Sequence, residues 1–300
     1  MPPVVVINKP TEAGQYPYSD NLIIDYTATD DFSGIASTTI ILDGQEIATT
    51  TVKLSDYSLG RHNLIIQAID KAGNQAQAQA NFTIIDTVPP VVIINKPTAG
   101  EKYLHSENLV IDYSATDEFA GIATTTLTID GREVATTTVD LFNYSLGMHN
   151  LIVTAIDKAG NQAVKQVKFE IITNIDSTIS DINRIRELGW LKDKIYYELL
   201  KDALKLLKIE AKYFNQEQEL NEKLIRKTRD DWKLTDKQKQ KLIEQYNKKL
   251  AELKKNRAKA INKSLDLIIK LLNKAKDKNR INQAGYDIII NDINYLRGNL

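Results

Sequence analysis

Tyr57-Ser-Leu-Gly60, His62-Asn-Leu-Ile65 and Ala68-Ile-Asp-Lys-Ala-Gly-Asn74 place a turn, a strand and a hairpin loop in succession. The same three pieces return 87 residues later, at 144–147, 149–152 and 155–161. Aligned without a gap, residues 3–87 and 90–174 are identical at 54 of 85 positions. A repeat that keeps turn, strand and loop in register is a duplicated structural unit, so the first 174 residues are two copies of one fold.

Outward from that stretch the first copy reads as strands and turns. Residues 4–7 are a β-branched run behind Pro2-Pro3, and proline at strand entry suits an edge, where a missing N–H harms no ladder. Leu22, Ile24, Tyr26 and Ala28 alternate with Ile23, Asp25 and Thr27, which predicts one half-buried strand over 22–28. Asp30-Asp-Phe-Ser-Gly34 reads as a loop and 35–42 as a Thr/Ile strand. Asp43-Gly44 is a hairpin turn, since glycine takes positive φ without steric cost, and 46–54 is the returning strand. Gly73 is the expected left-handed residue of the 70–74 loop, and 76–85 closes the unit. About seven short strands with turns every 8–12 residues and no helical period predict a Greek-key β-sandwich.

Leu59-Gly60-x-His62 followed by Ala68-x-Asp70-x-Ala72-Gly73-Asn74, behind Pro2-Pro3, resembles the bacterial Ig-like repeats of surface and secreted proteins. The resemblance covers both copies and implies two all-β Ig-like sandwiches, over 1–87 and 88–174. Such folds host many unrelated roles, so it implies no ligand. Between them Asp86-Thr-Val-Pro-Pro90 carries two prolines, which favour an extended, semi-rigid tandem.

After 169–172 the alternation stops. Asp176 or Ser177 is the expected cap of a helix that Gly189 stops. From Asp193, Ile195, Leu199, Ala203 and Leu206 recur at spacings of three and four. A second long helix starts at Thr235, with Leu242, Tyr246, Leu250 and Leu253 on one stripe, and a last helix covers 283–296. Residues 182–191 (Ile-Asn-Arg-Ile-Arg-Glu-Leu-Gly-Trp-Leu), Leu199-Leu200, Ala203, Leu206-Leu207, 261–275 and 281–296 are similar to the FIMAH-type helical domain. That resemblance implies a binding or attachment module at the C-terminus of a bacterial surface or secreted protein, often a hydrolase. The chain departs from the pattern at Asp277-Lys-Asn-Arg280, where the family has a glycine, and in the extra segment 213–259. The expected third part, 175–300, is therefore an all-α domain with an inserted antiparallel two-helix, coiled-coil-like arm. Lys233-Leu-Thr-Asp236 is its expected turn, and Phe214, Leu220, Leu224 and Ile225 are the expected partners of the stripe.

Composition narrows the function. The 300 residues are 42% hydrophobic, enough for ordinary cores. With no cysteine, disulfides, thiol catalysis and cysteine-bound zinc are excluded. There is no run of 18 apolar residues and no basic-then-apolar leader. Met1 stands at the edge of a repeat, so the chain reads as a piece of a longer protein or as a mature form. The net charge of zero hides a segregation: residues 1–174 hold 10 Lys/Arg and 20 Asp/Glu, whereas 175–300 hold 29 and 19. Residues 223–263, with 15 basic and 5 acidic side chains, account for the whole basic excess.

No phosphate loop, nucleophile elbow or His-x-x-x-His occurs, and no carboxylate pair stands in a catalytic motif, so no enzyme is expected. His62 and His149 are equivalent residues before a buried strand and are expected to pack there; His105 has Tyr18 as its counterpart, which argues against a repeated role. Asp86 in the linker, with Asp117 and Asp157 in the loops of the second copy that face it, could bring hard oxygen ligands together for Ca²⁺. Against that, Asp157 is equally suited to a local Asx-turn. The basic segment is either a solvated face or a site for an anionic polymer, with Lys248, Lys249, Lys254 and Lys255 as the central cations. The expectation is a non-catalytic, extracellular or cell-surface segment in which an Ig stalk presents an adhesion or attachment module. Its partners would be a wall or surface polymer or another surface protein. The alternatives are an accessory region of a surface hydrolase and a nucleic-acid-binding protein.

Overall fold

The structure is a computed structural model that describes residues 1–229 and 234–300. It shows two β-sandwiches followed by a C-terminal region of four helices among the described residues. By its internal contacts the chain forms two compact units. One comprises Met1–Asn95, Asp112–Ala135 and Leu151–Gln166; the other comprises Lys96–Ile111, Thr136–Asn150 and Val167–Leu300.

In the first unit the first repeat runs β1 (Val4–Lys9), β2 (Gly14–Pro17), β3 (Asn21–Ile23), β4 (Asp25–Thr29), β5 (Ile35–Leu42), β6 (Gln45–Ile47), β7 (Thr51–Lys53), β8 (Gly60–Asp70) and β9 (Gln75–Ile85). One layer is the sheet β2-β9-β8-β5-β6, in which β2 lies parallel to β9; the other is made of the pairs β1-β4 and β3-β7. Strict alternation along β8 turns His62, Leu64, Ile66, Ala68 and Asp70 inward, where Leu64 and Ile66 meet Leu22, Ile24, Leu42, Leu54, Phe82 and Ile84. Asp43 (φ 50°) and Gly44 (φ 81°) form the expected two-residue hairpin.

Two strands expected to be continuous are broken. The 22–28 strand divides at Ile24, whose N–H is bonded to the Thr50 carbonyl (2.7 Å), and the chain passes from pairing with β7 to pairing with β1. Leu22, Ile24, Tyr26 and Ala28 still face inward across the break, so period-two alternation persists where the hydrogen-bond partner changes. The 46–54 strand is interrupted by Thr49, whose hydroxyl accepts from the Thr51 N–H (3.1 Å), a local bond that competes with the ladder.

The second repeat runs β10 (Val91–Lys96), β11 (Lys102–Leu104), β12 (Asn108–Val110), β13 (Asp112–Thr116), β14 (Ile122–Ile129), β15 (Arg132–Glu133), β16 (Thr138–Asp140), β17 (Gly147–Asp157) and β18 (Gln162–Ile172), with sheet order β11-β18-β17-β14-β15. Within the first unit, β14 pairs with the last part of β17. Within the second unit, β11 pairs in parallel with the end of β18, and β12 pairs with β16.

The helices of the second unit are α1 (Ile175–Glu187), α2 (Asp193–Arg229), α3 (Asp236–Asp277) and α4 (Gln283–Gly298). Asn174 caps α1, its side chain accepting from the Ser177 N–H at 2.8 Å, in place of the expected Asp176 or Ser177. Gly189 (φ 73°) follows the end of α1 as expected. Thr235 and Gln238 form a capping box at α3. Ile182, Ile185, Ile195, Leu199, Leu265, Leu272, Ile289 and Ile293 make one core, to which the sandwich residue Phe142 also belongs.

Beyond Leu206 in α2 and before Ile261 in α3, no described side chain is buried. There the two helices share a single seam. Leu220 and Leu224 face Leu242 and Tyr246, and Arg257 grips Glu210 with two bonds of 2.7 Å. Two of the expected seam residues point outward: Phe214 is 60% exposed and Ile225 55%. The inward phase follows Leu206, Tyr213 and Leu220 at intervals of seven, with Leu224 half a repeat further on; Phe214 lies one residue past Tyr213 and Ile225 one past Leu224. Of the expected turn, Lys233 lies outside the described residues, as does Trp232 of the basic segment.

Candidate functional site

The carboxylates expected at the junction converge. One oxygen each from Asp86, Asp117 and Asp157 lies within 4.8 Å of the others, with Asp86 and Asp157 buried and Asp117 half-buried. Local bonds set each one. Asp117 Oδ1 accepts the N–H groups of Phe119, Ala120 and Gly121 at 2.8–3.1 Å. Asp86 accepts from Val88 N–H (2.8 Å) and Ala120 N–H (3.3 Å). Asp157 accepts the backbone and side-chain N–H of Asn161, both at 2.8 Å, so the Asx-turn is present together with the convergence. Asn161 Nδ2 also donates to the linker carbonyl of Asp86 (3.2 Å), which ties the linker to the loop. Burial pushes the Asp157 carboxyl up, but the donors from Asn161, Ala159 and Gly160 outweigh it and hold the group below its ordinary range. An open cleft of about 810 Å³ adjoins the group, with Tyr18, Tyr57, Phe119 and Lys158 in its wall.

The first repeat shows what differs. Asp30 and Asp70, the counterparts of Asp117 and Asp157, make the same loop bonds. There the Ser33 hydroxyl donates to Asp30 (2.9 Å) and also helps hold Asp70 below its ordinary range, after the larger effect of Asn74. The second repeat has Ala120 in place of Ser33, so that donor is lost, and Asp86 adds a third carboxylate.

A second cluster lies in the other unit. His105, in the loop after β11, meets Asp181 of α1 and Asp292 of α4; the three are 3%, 1% and 0% exposed. His105 Nδ1 lies 2.8 Å from Asp181 Oδ2 and 4.0 Å from Asp292 Oδ1, and Nε2 lies 3.0 Å from the Tyr144 carbonyl. A carbonyl only accepts, so Nε2 carries the proton. Burial, then the Asp181 carboxylate beside it, push Asp292 well above the ordinary carboxylate range. The Thr178 hydroxyl, which lies 3.3 Å from that of Thr173, offsets this in part. Sequence reasoning missed this cluster. The available signal was Asp181 and Asp292 at inward helical positions beside Ile182, Ile185, Ile289 and Ile293, with His105 as the odd residue of a repeated pair.

His62 and His149 pack as expected. Each ring lies 5.6 Å from a core phenylalanine, Phe82 or Phe169, and its Nε2 meets the carbonyl of Ser58 (2.8 Å) or Ser145 (2.7 Å). On the arm Lys248, Lys249, Lys254 and Lys255 are all exposed, and among the described residues none of them lies within 4.0 Å of a carboxylate. No described helix is long and apolar enough to cross a membrane.

No family model matches this chain, and no curated protein is similar to it. Among solved structures, it is similar to the fibronectin(III)-like modules of Clostridium thermocellum CbhA, at 18% identity over 56% of this chain and 94% of that one, with a TM-score of 0.27. Drosophila N-cadherin EC1-4 is 13% identical over 57% of this chain and 49% of its own, with a TM-score of 0.31. Bacteroides ovatus SGBP-B, solved with a mixed-linkage heptasaccharide, is 13% identical over 56% of this chain and 47% of its own, with a TM-score of 0.22. The chain spans about half the length of the latter two. These likenesses concern the fold alone.

Proposed function

We propose that the chain is a non-catalytic segment of a bacterial surface or secreted protein, in which Ig-like sandwiches carry a FIMAH-like helical attachment module whose arm meets an anionic surface polymer. The observation that carries this reading is the arm itself. From 207 to 229 it extends about 35 Å at the helical rise of 1.5 Å per residue, leaving most of its circumference to water. Lys223 and Arg226 are drawn toward Glu219 (3.8 Å) and Glu222 (3.6 Å), whereas Lys248, Lys249, Lys254 and Lys255 face solvent without such a partner among the described residues. Exposed charges act over about 8 Å at physiological ionic strength, so attraction to a polyanion falls steeply with salt. Retention of the full chain on isolated anionic wall polymer is expected to drop from low to high salt. Changing Lys248, Lys249, Lys254 and Lys255 to Gln should weaken it at every salt concentration. Equal retention of both proteins would refute the arm as the contact, and tighter binding to duplex DNA than to wall polymer would move the partner to nucleic acid.

The junction carboxylates are read as a Ca²⁺ site that stiffens the tandem. Three carboxylates without the bridging hydroxyl of the first repeat supply hard oxygens and clustered negative charge, which a divalent cation neutralises. Ca²⁺ at a hundred times its dissociation constant would add about 2.7 kcal/mol to the folded state. Thermal melts in millimolar Ca²⁺ and in chelator should therefore differ. Asp86→Asn, which keeps an acceptor for Val88, should abolish the difference, whereas Asp30→Asn should preserve it. Superimposable wild-type curves would remove the site.

A further inference from the structure

We propose that His105, Asp181 and Asp292 form a second, structural metal site for a divalent transition ion of the zinc class, which ties the β11 loop to α1 and α4. The donors are one imidazole nitrogen and two carboxylates, a set that suits zinc-class ions, whereas Ca²⁺ prefers oxygen alone. Tyr144 already holds the Nε2 proton, which leaves the Nδ1 lone pair directed at the carboxylates, the arrangement by which a carbonyl orients a metal-ligating histidine. The separations of 2.8 and 4.0 Å from Nδ1 bracket the roughly 3.3 Å between ligands of a tetrahedral ion bound at about 2.0 Å.

The unmet valence also points to a cation. Asp181 Oδ1 and both oxygens of Asp292 are buried and accept no hydrogen bond. One proton shared between the carboxylates engages two of these three oxygens and leaves the third unsatisfied, a state that costs about 1–3 kcal/mol. A divalent ion neutralises both carboxylates and engages the cluster as a whole. The first repeat supports the same assignment. Its Tyr18 donates to the Ser55 carbonyl at 2.8 Å, so a plain hydrogen bond serves there, and the second repeat departs from its twin where two helix carboxylates arrive. All three side chains are enclosed, which suits a structural ion and not an open catalytic one.

The test uses the full chain, stripped with chelator and dialysed against Zn²⁺ or Ca²⁺ separately, with bound metal measured directly. Wild type should retain Zn²⁺ at this site, and Co²⁺ in its place should give intense visible bands from low-symmetry N/O ligation. Asp292→Asn and His105→Gln should weaken Zn²⁺ binding by about 100-fold or more, beyond the loss expected for a residue that only orients a ligand. Asp86→Asn and Asp43→Asn should leave it unchanged, which separates this site from the junction and from His62, whose Nδ1 lies 2.6 Å from the Asp43 carboxylate. Circular dichroism checks that the variants fold; if Asp292→Asn does not, the Co²⁺ spectrum of wild type decides alone. No retained Zn²⁺, a weak six-coordinate Co²⁺ spectrum, or equal retention by a folded Asp292→Asn would each overturn the proposal.

Discussion

Phe142→Ala is expected to destabilise the helical unit by about 3–5 kcal/mol, the usual loss when a buried aromatic is removed from a core that cannot collapse around the gap. Phe142 is 3% exposed and belongs to the helical core although it lies on the sandwich side of the chain. Its ring centre lies 6.3 Å from that of Trp190 and 5.7 Å from that of His105, and the Arg184 guanidinium sits 4.2 Å above it. Arg184 is held there by a paired contact with the Asp140 carboxylate, which its hydrogen bonds keep below the ordinary range. The counterparts of Asp140 and Phe142 in the first repeat are Lys53 and Ser55, so two adjoining departures from the repeat build one contact. Ser55→Ala should cost less than about 0.5 kcal/mol, because the Tyr18 hydroxyl bonds to the backbone carbonyl and not to the side chain. Denaturation followed by Trp190 fluorescence, with Trp232 changed to Phe to isolate the signal, measures the first, and a circular-dichroism melt of the β-sheet signal measures the second. A loss below about 1 kcal/mol for Phe142→Ala would show that the contact contributes little.

What could be read from the chain beforehand follows the range of each interaction. Hairpins at Asp43-Gly44 and Gly73, the end of α1 at Gly189 and the start of α3 at Thr235 depend on a few neighbouring residues, and these were legible. The convergence of Asp86, Asp117 and Asp157 was legible too, because the linker and two loops of a known sandwich type must meet at one end. The change of pairing at Ile24 was not, since the inward alternation continues through it and only the hydrogen-bond partner changes. Nor was the cluster of His105, Asp181 and Asp292: it joins a loop and two helices far apart in the chain, and nothing local to any of them requires the others. Phe214 and Ile225 lie off the seam because a run of apolar residues in α2 offers more than one stripe, and packing against α3 selects the one through Tyr213, Leu220 and Leu224.

Leu265→Ala and Leu250→Ala should differ sharply although both residues lie on α3. Leu265 is 0% exposed among α1, α2 and α4 side chains, so its truncation leaves a cavity and should cost about 2–5 kcal/mol. Leu250 is half-buried against a single partner helix and keeps part of its surface in water. Full burial of a leucine is worth about 1.5–3 kcal/mol, so truncating a half-buried one should cost about 1 kcal/mol, confined to the arm. The same asymmetry governs opening. Amides of the arm, around 213–229 and 236–259, should exchange through local separation of two helices. Those of 261–275 should exchange only when the whole helical core unfolds. Native-state hydrogen exchange resolves the two classes, and equal protection along α3 would refute the distinction. The attachment reading depends on this difference: a weakly held hairpin can adjust its lysines to an irregular polymer, while the core beneath keeps the arm fixed at its base.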